Sequence, residues 1–163
     1  MKLRTEIEIT PWQRTIDYHS RILSIGSCFA QNIAERLAEC KFNIATSPSG
    51  ILFNPASIAR TIERFRQRRE VCADDLFQSD GRWLSYHFHS TLWAADRDEA
   101  QRQMTSAVER GAELLESADH LIVTLGTAWT YRLRSTGEGV ANCRKQPHSP
   151  CCRELLSTNE RIA

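Results

Sequence analysis

The stretch Ile22-Leu23-Ser24-Ile25-Gly26-Ser27-Cys28-Phe29-Ala30 decides the reading of this chain. Four residues of apolar character end in a glycine, and a helical pattern begins at once, with Phe29, Ile33 and Leu37 recurring beside Ala30, Ala34 and Ala38. A strand that runs through Gly into a helix start presents its next two side chains at the carboxyl edge of a sheet, where open α/β folds place their ligands. The first N–H groups of such a helix are unpaired and its dipole end is positive, which suits both an oxyanion and a thiolate nucleophile at Cys28. The plain alternative is a tight strand-to-helix turn carrying a small buried cysteine.

Outward from this turn the pattern repeats. Phe42-Asn43-Ile44-Ala45 is a second candidate strand, and Asn54-Pro55 supplies an N-cap and a first-turn proline for a helix whose Ile58, Ala59, Ile62 and Phe65 share a face. Ser79-Asp80-Gly81 marks a turn before Trp83-Leu84-Ser85-Tyr86, a short strand or extended loop outside the main sheet. Asp96 with Glu99 opens another helix, with a buried stripe of Ala100, Met104, Ala107, Val108, Gly111, Leu114, Leu115 and Ala118. His120 to Leu125 then reads as the clearest core strand, and Arg153 to Ile162 as a final helix with no strand behind it. Strands alternating with helices imply an α/β protein, a parallel sheet with helices on both faces in three α/β/α layers.

A chain of 163 residues suffices for one domain with a substantial core, so residues 1 to 163 are read as a single domain. Its 21 Lys plus Arg nearly balance its 20 Asp plus Glu, leaving no overall field to gather nucleic acid or an anionic membrane. The basic residues Arg60, Arg64, Arg66, Arg68 and Arg69 interleave with Glu63 and Glu70, the pattern of a solvated face. No apolar run approaches the roughly 20 residues of a membrane span and the first residues lack a signal core, so the expected location is the cytoplasm and the six cysteines are expected as thiols.

His87 and His89 stand two apart and in an extended segment would project to one side, which makes a Cys28–His89 pair conceivable beside the alternative of structural histidines. Cys143, His148, Cys151 and Cys152 have the count of a metal cluster, but vicinal cysteines in a short proline-containing loop fit tetrahedral zinc poorly; no metal and no cofactor are expected.

Gly26-Ser27-Cys28-Phe29-Ala30 resembles the signature of the bacterial GSCFA family, a relative of the GDSL or SGNH hydrolases. Further blocks resemble that family in order: Ser47 to Pro55, Trp83 to Ser90, Leu125 to Trp129, and Val140 to Pro147. Two positions depart from it, Arg144 and Phe88, where the family usually has His. The resemblance implies a three-layer SGNH-hydrolase-like fold and attack on an acyl carbon, with Cys28 at the nucleophile position, Ser27 as the alternative nucleophile or a hydrogen-bond donor, and His89 as a candidate base. It implies an oxyanion site built from the nucleophile's N–H, from Gly50 and Gly126, and from an amide side chain. The superfamily's Gly-x-Asn is here Gly126-Thr127-Ala128, so Thr127, Asn54 or Asn142 is expected to compensate, with Asn142 favoured.

Family members continue past this point to an Asp-x-x-His-Pro-Ser block that would supply the base. The expectation is therefore an N-terminal part of the domain, nearly inactive as given, with an exposed sheet edge open to self-association. The expected partner is a small-molecule acyl substrate, acted on by a hydrolase or acyltransferase. A non-catalytic module binding a small acylated or carbohydrate ligand on the same fold is the alternative.

Overall fold

The computed structural model describes residues 7–8, 10, 13–141, 143 and 150–157. Its centre is a parallel sheet of three strands in the order β2-β1-β5, formed by β1 (Arg21–Gly26), β2 (Asn43–Thr46) and β5 (His120–Thr124). The apolar run thus becomes the middle strand, hydrogen-bonded on both sides, and its partners include the strand expected from His120 onward. Register fixes the faces. Leu23 lies opposite Leu121 and Ile25 opposite Val123, so these four share one side of the pleat, while Ile22, Ser24 and Gly26 share the other with His120, Ile122 and Thr124.

Helix α1 (Cys28–Glu39) lies along the second of these faces, tied there by the Ser24 hydroxyl, which donates to the Ala30 carbonyl at 3.1 Å. Of the expected pattern it buries Ala30 and Ala34, small residues that let the helix approach the sheet closely, while Phe29 is exposed. On the first face Leu23 and Ile25 pack with residues of α2 (Pro55–Arg66) and α3 (Arg97–Ser117), chiefly Ile58, Phe65, Ala100, Met104 and Val108. Both helix starts follow their sequence signals: Asn54 Oδ1 accepts the Ser57 N–H at 2.8 Å and Asp96 Oδ1 accepts the Glu99 N–H at 2.9 Å.

Strand β5 is not a core strand on both faces, as its apolar run suggests. Among the described strands it lies at the sheet's edge, and Leu121, Val123 and the following Leu125 are exposed beyond the reach of α2 and α3. Its entry is fixed by Asp119, whose carboxylate receives two bonds from the Arg21 side chain and one from the Arg21 N–H; these hydrogen bonds hold it down to about 2.

Two small antiparallel sheets account for the remaining strands among the described residues. Strands β3 (Leu76–Ser79) and β4 (Arg82–Ser85) form the hairpin around Asp80-Gly81, following a short 3-10 turn at Ala73–Asp75. Strands β7 (Gly139–Val140), β6 (Trp129–Leu133) and β8 (Cys151–Leu155) form the other. The first residues of the expected final helix, Arg153 to Leu155, are instead the end of a strand: Cys151 to Leu155 pairs with Leu133 back to Trp129, a long-range pairing that overrides the local pattern. The expectation of six thiols also changes, because this sheet brings Cys143 and Cys151 together as a disulfide, while Cys28, Cys40, Cys72 and Cys152 are unpaired.

The α2–α3 crossing gives a direct test of this packing. A methyl group at Gly111 would lie 2.4 Å from the fully buried Phe65 ring. Gly111→Ala is expected to lower the unfolding free energy by about 1–3 kcal/mol, despite the better helix propensity of alanine, as a fall in the urea midpoint; an unchanged or raised midpoint would contradict the packing.

Candidate functional site

The carboxyl ends of β1 and β5 meet at Gly26 and Thr124, which are register partners. Gly26 has φ +145°, and a Cβ there would sit 2.2 Å from the Thr124 carbonyl oxygen, so only glycine lets the two strands close at this point. The next residue is locked to the same threonine. The Ser27 N–H donates to the Thr124 carbonyl at 3.2 Å and to its Oγ1 at 3.1 Å, and the Ser27 hydroxyl lies 2.9 Å from Thr124 Oγ1. Ser27 is buried and gives no side-chain cap to α1. Cys28, the first residue of α1, is exposed. The first intrahelical bond comes from Gln31, so the N–H groups of Cys28, Phe29 and Ala30 have no acceptor among the described residues.

A loop over residues 47–54 stitches this turn to its surroundings. Its Ser47 N–H donates to the Ser24 carbonyl at 2.9 Å and its Leu52 N–H to the Gly26 carbonyl at 2.8 Å, while the Phe53 carbonyl receives both Gly126 at 2.8 Å and Thr127 at 3.0 Å. The Ser49 carbonyl receives the His89 N–H at 2.9 Å. Gly50, at φ +79°, packs against the His89 side chain so closely that a Cβ would lie 2.5 Å from that of His89. Its own N–H donates to the Ser47 carbonyl at 3.0 Å.

Two hollows flank this loop and share Ile51 in their walls. The larger, about 430 Å³, brings together Asn54, His89, Gly126 and Thr127 with the aromatic side chains of Phe53, Trp129 and Tyr131. The smaller, about 260 Å³, is lined by Ser27, Gly50, Ser47 and Thr91. His89 Nδ1 lies 3.0 Å from Thr91 Oγ1. Asn54 is buried with its Oδ1 spent on the helix cap, which leaves its amide NH2 as the donor side. A methyl at Gly126 would lie 3.1 Å from Ser27 Cβ, so the loop after β5 runs directly beside the turn. Cys28 is not among the residues lining either hollow. Asn142 lies outside the described residues, as do Arg144 and His148. Among the described residues no three His, Cys, Asp or Glu side chains gather as metal ligands.

His87 does not accompany His89. The segment after β4 turns instead of running extended, and His87 enters a separate polar cluster under α2. Its Nε2 lies 3.3 Å from Glu138 Oε1 and 4.0 Å from Asp75 Oδ1. Asp75 in turn accepts from buried Arg64 at 3.2 Å, and Arg60 donates to the Gly139 carbonyl. This cluster escaped the sequence pattern, since its members come from α2, the 3-10 turn, the β4 exit and the β6–β7 connection. Arg60 and Arg64, expected on a solvated face with Arg66, Arg68 and Arg69, turn inward here instead: Arg64 is buried and Arg60 half-buried, while the other three are exposed.

The site is thus a strand–glycine–helix turn at the carboxyl edge of a parallel sheet, beside an aromatic-walled cleft. The chain belongs to the GSCFA family, whose model matches residues 21–163. No curated protein and no solved structure matches it significantly. No helix among the described residues is long and apolar enough to cross a membrane.

Burial pushes His87 below the ordinary imidazole value of 6.5, with Arg64 and Arg60 adding to the effect and Glu138 and Asp75 opposing it. The unfolded chain therefore binds more protons below that value, and the stability this neutral His87 contributes is full above about pH 6.5 and lost as pH falls toward its folded value. Urea midpoints should be flat from pH 8 to 7 and decline below, with a shallower decline in His87→Gln. Equal slopes for the two proteins would remove His87 from the account.

Proposed function

We propose that this chain is an SGNH-like acyl hydrolase or acyltransferase in which Cys28 is the nucleophile. The observation that carries the reading is the division of labour at the turn: Ser27 is buried and tied to Thr124, while the neighbouring Cys28 stands exposed at the start of α1. In this reading the Cys28 sulfur attacks the acyl carbon of an ester or thioester. The carbonyl oxygen becomes an oxyanion facing the N–H groups of the first helical turn, and collapse expels the alcohol or thiol to leave an acyl-Cys28 thioester. Water or another acceptor then takes the acyl group. His89, held against Gly50 and Thr91, is assigned the proton transfers, and Asn54 an amide donor in the cleft. Gly50 contributes by admitting the His89 side chain, since its N–H is engaged within the loop. Helices on both faces of the β2-β1-β5 sheet are read as the SGNH-like three-layer arrangement.

A second reading, a non-catalytic module that holds an acylated ligand, is favoured by the absence of Cys28 from the cleft's lining. A β-lactone probe followed by peptide mass spectrometry separates the two. Acylation is expected on Cys28, abolished in Cys28→Ala and slowed about fivefold in Ser27→Ala, the effect of one lost hydrogen bond of about 1 kcal/mol. A protein that acquires no adduct on Cys28 or Ser27 would be the binding module, and an adduct on Ser27 alone would reverse the roles of the pair.

A further inference from the structure

The cleft carries a charge that the acyl-transfer chemistry does not use. Besides its aromatic walls and His89, it is lined by Arg153 of β8, and none of its described lining residues is an aspartate or glutamate. Arg153 is the register partner of Tyr131, so both point to the same side of the β6–β8 ladder, and the guanidinium carbon stands 4.1 Å from the Trp129 ring centroid. The acid beside it in sequence, Glu154, belongs to the opposite face and is taken by Arg132. No carboxylate among the described residues pairs with Arg153. Stacking on an indole fixes the plane of a guanidinium while leaving its edge N–H groups available, the geometry that receives a carboxylate through two parallel hydrogen bonds.

We propose that the cleft selects an acyl compound bearing a carboxylate, with Arg153 as its receptor and Phe53, Trp129 and Tyr131 holding the apolar part of the molecule between that anion and the acyl carbon. The inference rests on the acyl-transfer reading of Cys28 for what happens to the bound compound, and on the cleft alone for what binds. A singly charged carboxylate matches the one arginine better than a phosphate dianion, which would call for further cations in the lining. The Cys143–Cys151 disulfide lies at the start of the same strand and fastens it, so the receptor rests on a tied element rather than on a loop.

The test compares monomethyl succinate with methyl butyrate, an uncharged ester of similar length, by ligand-observed NMR titration of the full chain at neutral pH. The anionic ester is expected to bind about tenfold more tightly or better, the return from a hydrogen-bonded charge pair. Arg153→Gln, on an exposed position, is expected to erase that preference, and Trp129→Leu to weaken both esters. Circular dichroism verifies that each variant is folded. Equal affinities, no binding of either ester, or a preference that survives Arg153→Gln would overturn the proposal. Its failure is distinguishable from that of the catalytic reading: an anion preference without any Cys28 adduct would leave a carboxylate-binding module, whereas Cys28 acylation without an anion preference would leave an acyl enzyme with another specificity.

Discussion

Thr124 is the residue on which the site depends. Its carbonyl and hydroxyl receive the Ser27 N–H, its hydroxyl meets the Ser27 hydroxyl, and its carbonyl forbids any side chain at Gly26. Three contacts on one residue force the chain to leave β1 at a single angle, which sets the start of α1 and the place of Cys28. The central strand supplies the rigid base, since Leu23 and Ile25 are wholly buried beneath α2 and α3. Such a junction, formed where parallel strands end, is where an α/β sheet can hold a reactive group without giving up core packing.

The loop over residues 47–54 extends that constraint to the cleft. It contains no regular strand of its own, yet its backbone is spent on β1, on the segment after β5 and on the His89 loop. Each bond replaces water for a backbone group that burial would otherwise leave unpaired, so the loop is ordered by satisfying its own polar groups. In consequence Asn54, His89, Gly126 and Thr127 converge although they lie up to 73 residues apart.

Much of this was legible in the residues. The apolar run with its terminal glycine, the Asn54-Pro55 and Asp96–Glu99 helix starts, and the Ser79-Asp80-Gly81 turn are local signals, and local structure obeyed them. What escaped is nonlocal. Cys151 to Leu155 has no strong pattern and becomes a strand only because β6 offers it a partner; the alternation of Leu121, Val123 and Leu125 gave no hint that one face of β5 lies outside the helices. The two histidines diverge because a turn intervenes, and no spacing rule reports a turn made by Tyr86 and His87. Gly50 is expected from the sequence as an oxyanion donor; its N–H is instead engaged by the Ser47 carbonyl, and the close contact with His89 is what requires its missing side chain.

The claim at the centre of the account is that the Thr124 tie aims Cys28. Thr124→Val keeps the shape of the side chain and removes the hydroxyl, and Cys40, exposed at the far end of α1, is a built-in control. The decisive measurement is the ratio of β-lactone acylation rates at Cys28 and Cys40, followed by mass spectrometry in the wild type and in Thr124→Val. The account predicts that the ratio falls about tenfold, as expected when a reacting group is displaced by a fraction of an ångström; a ratio unchanged by the substitution would contradict it.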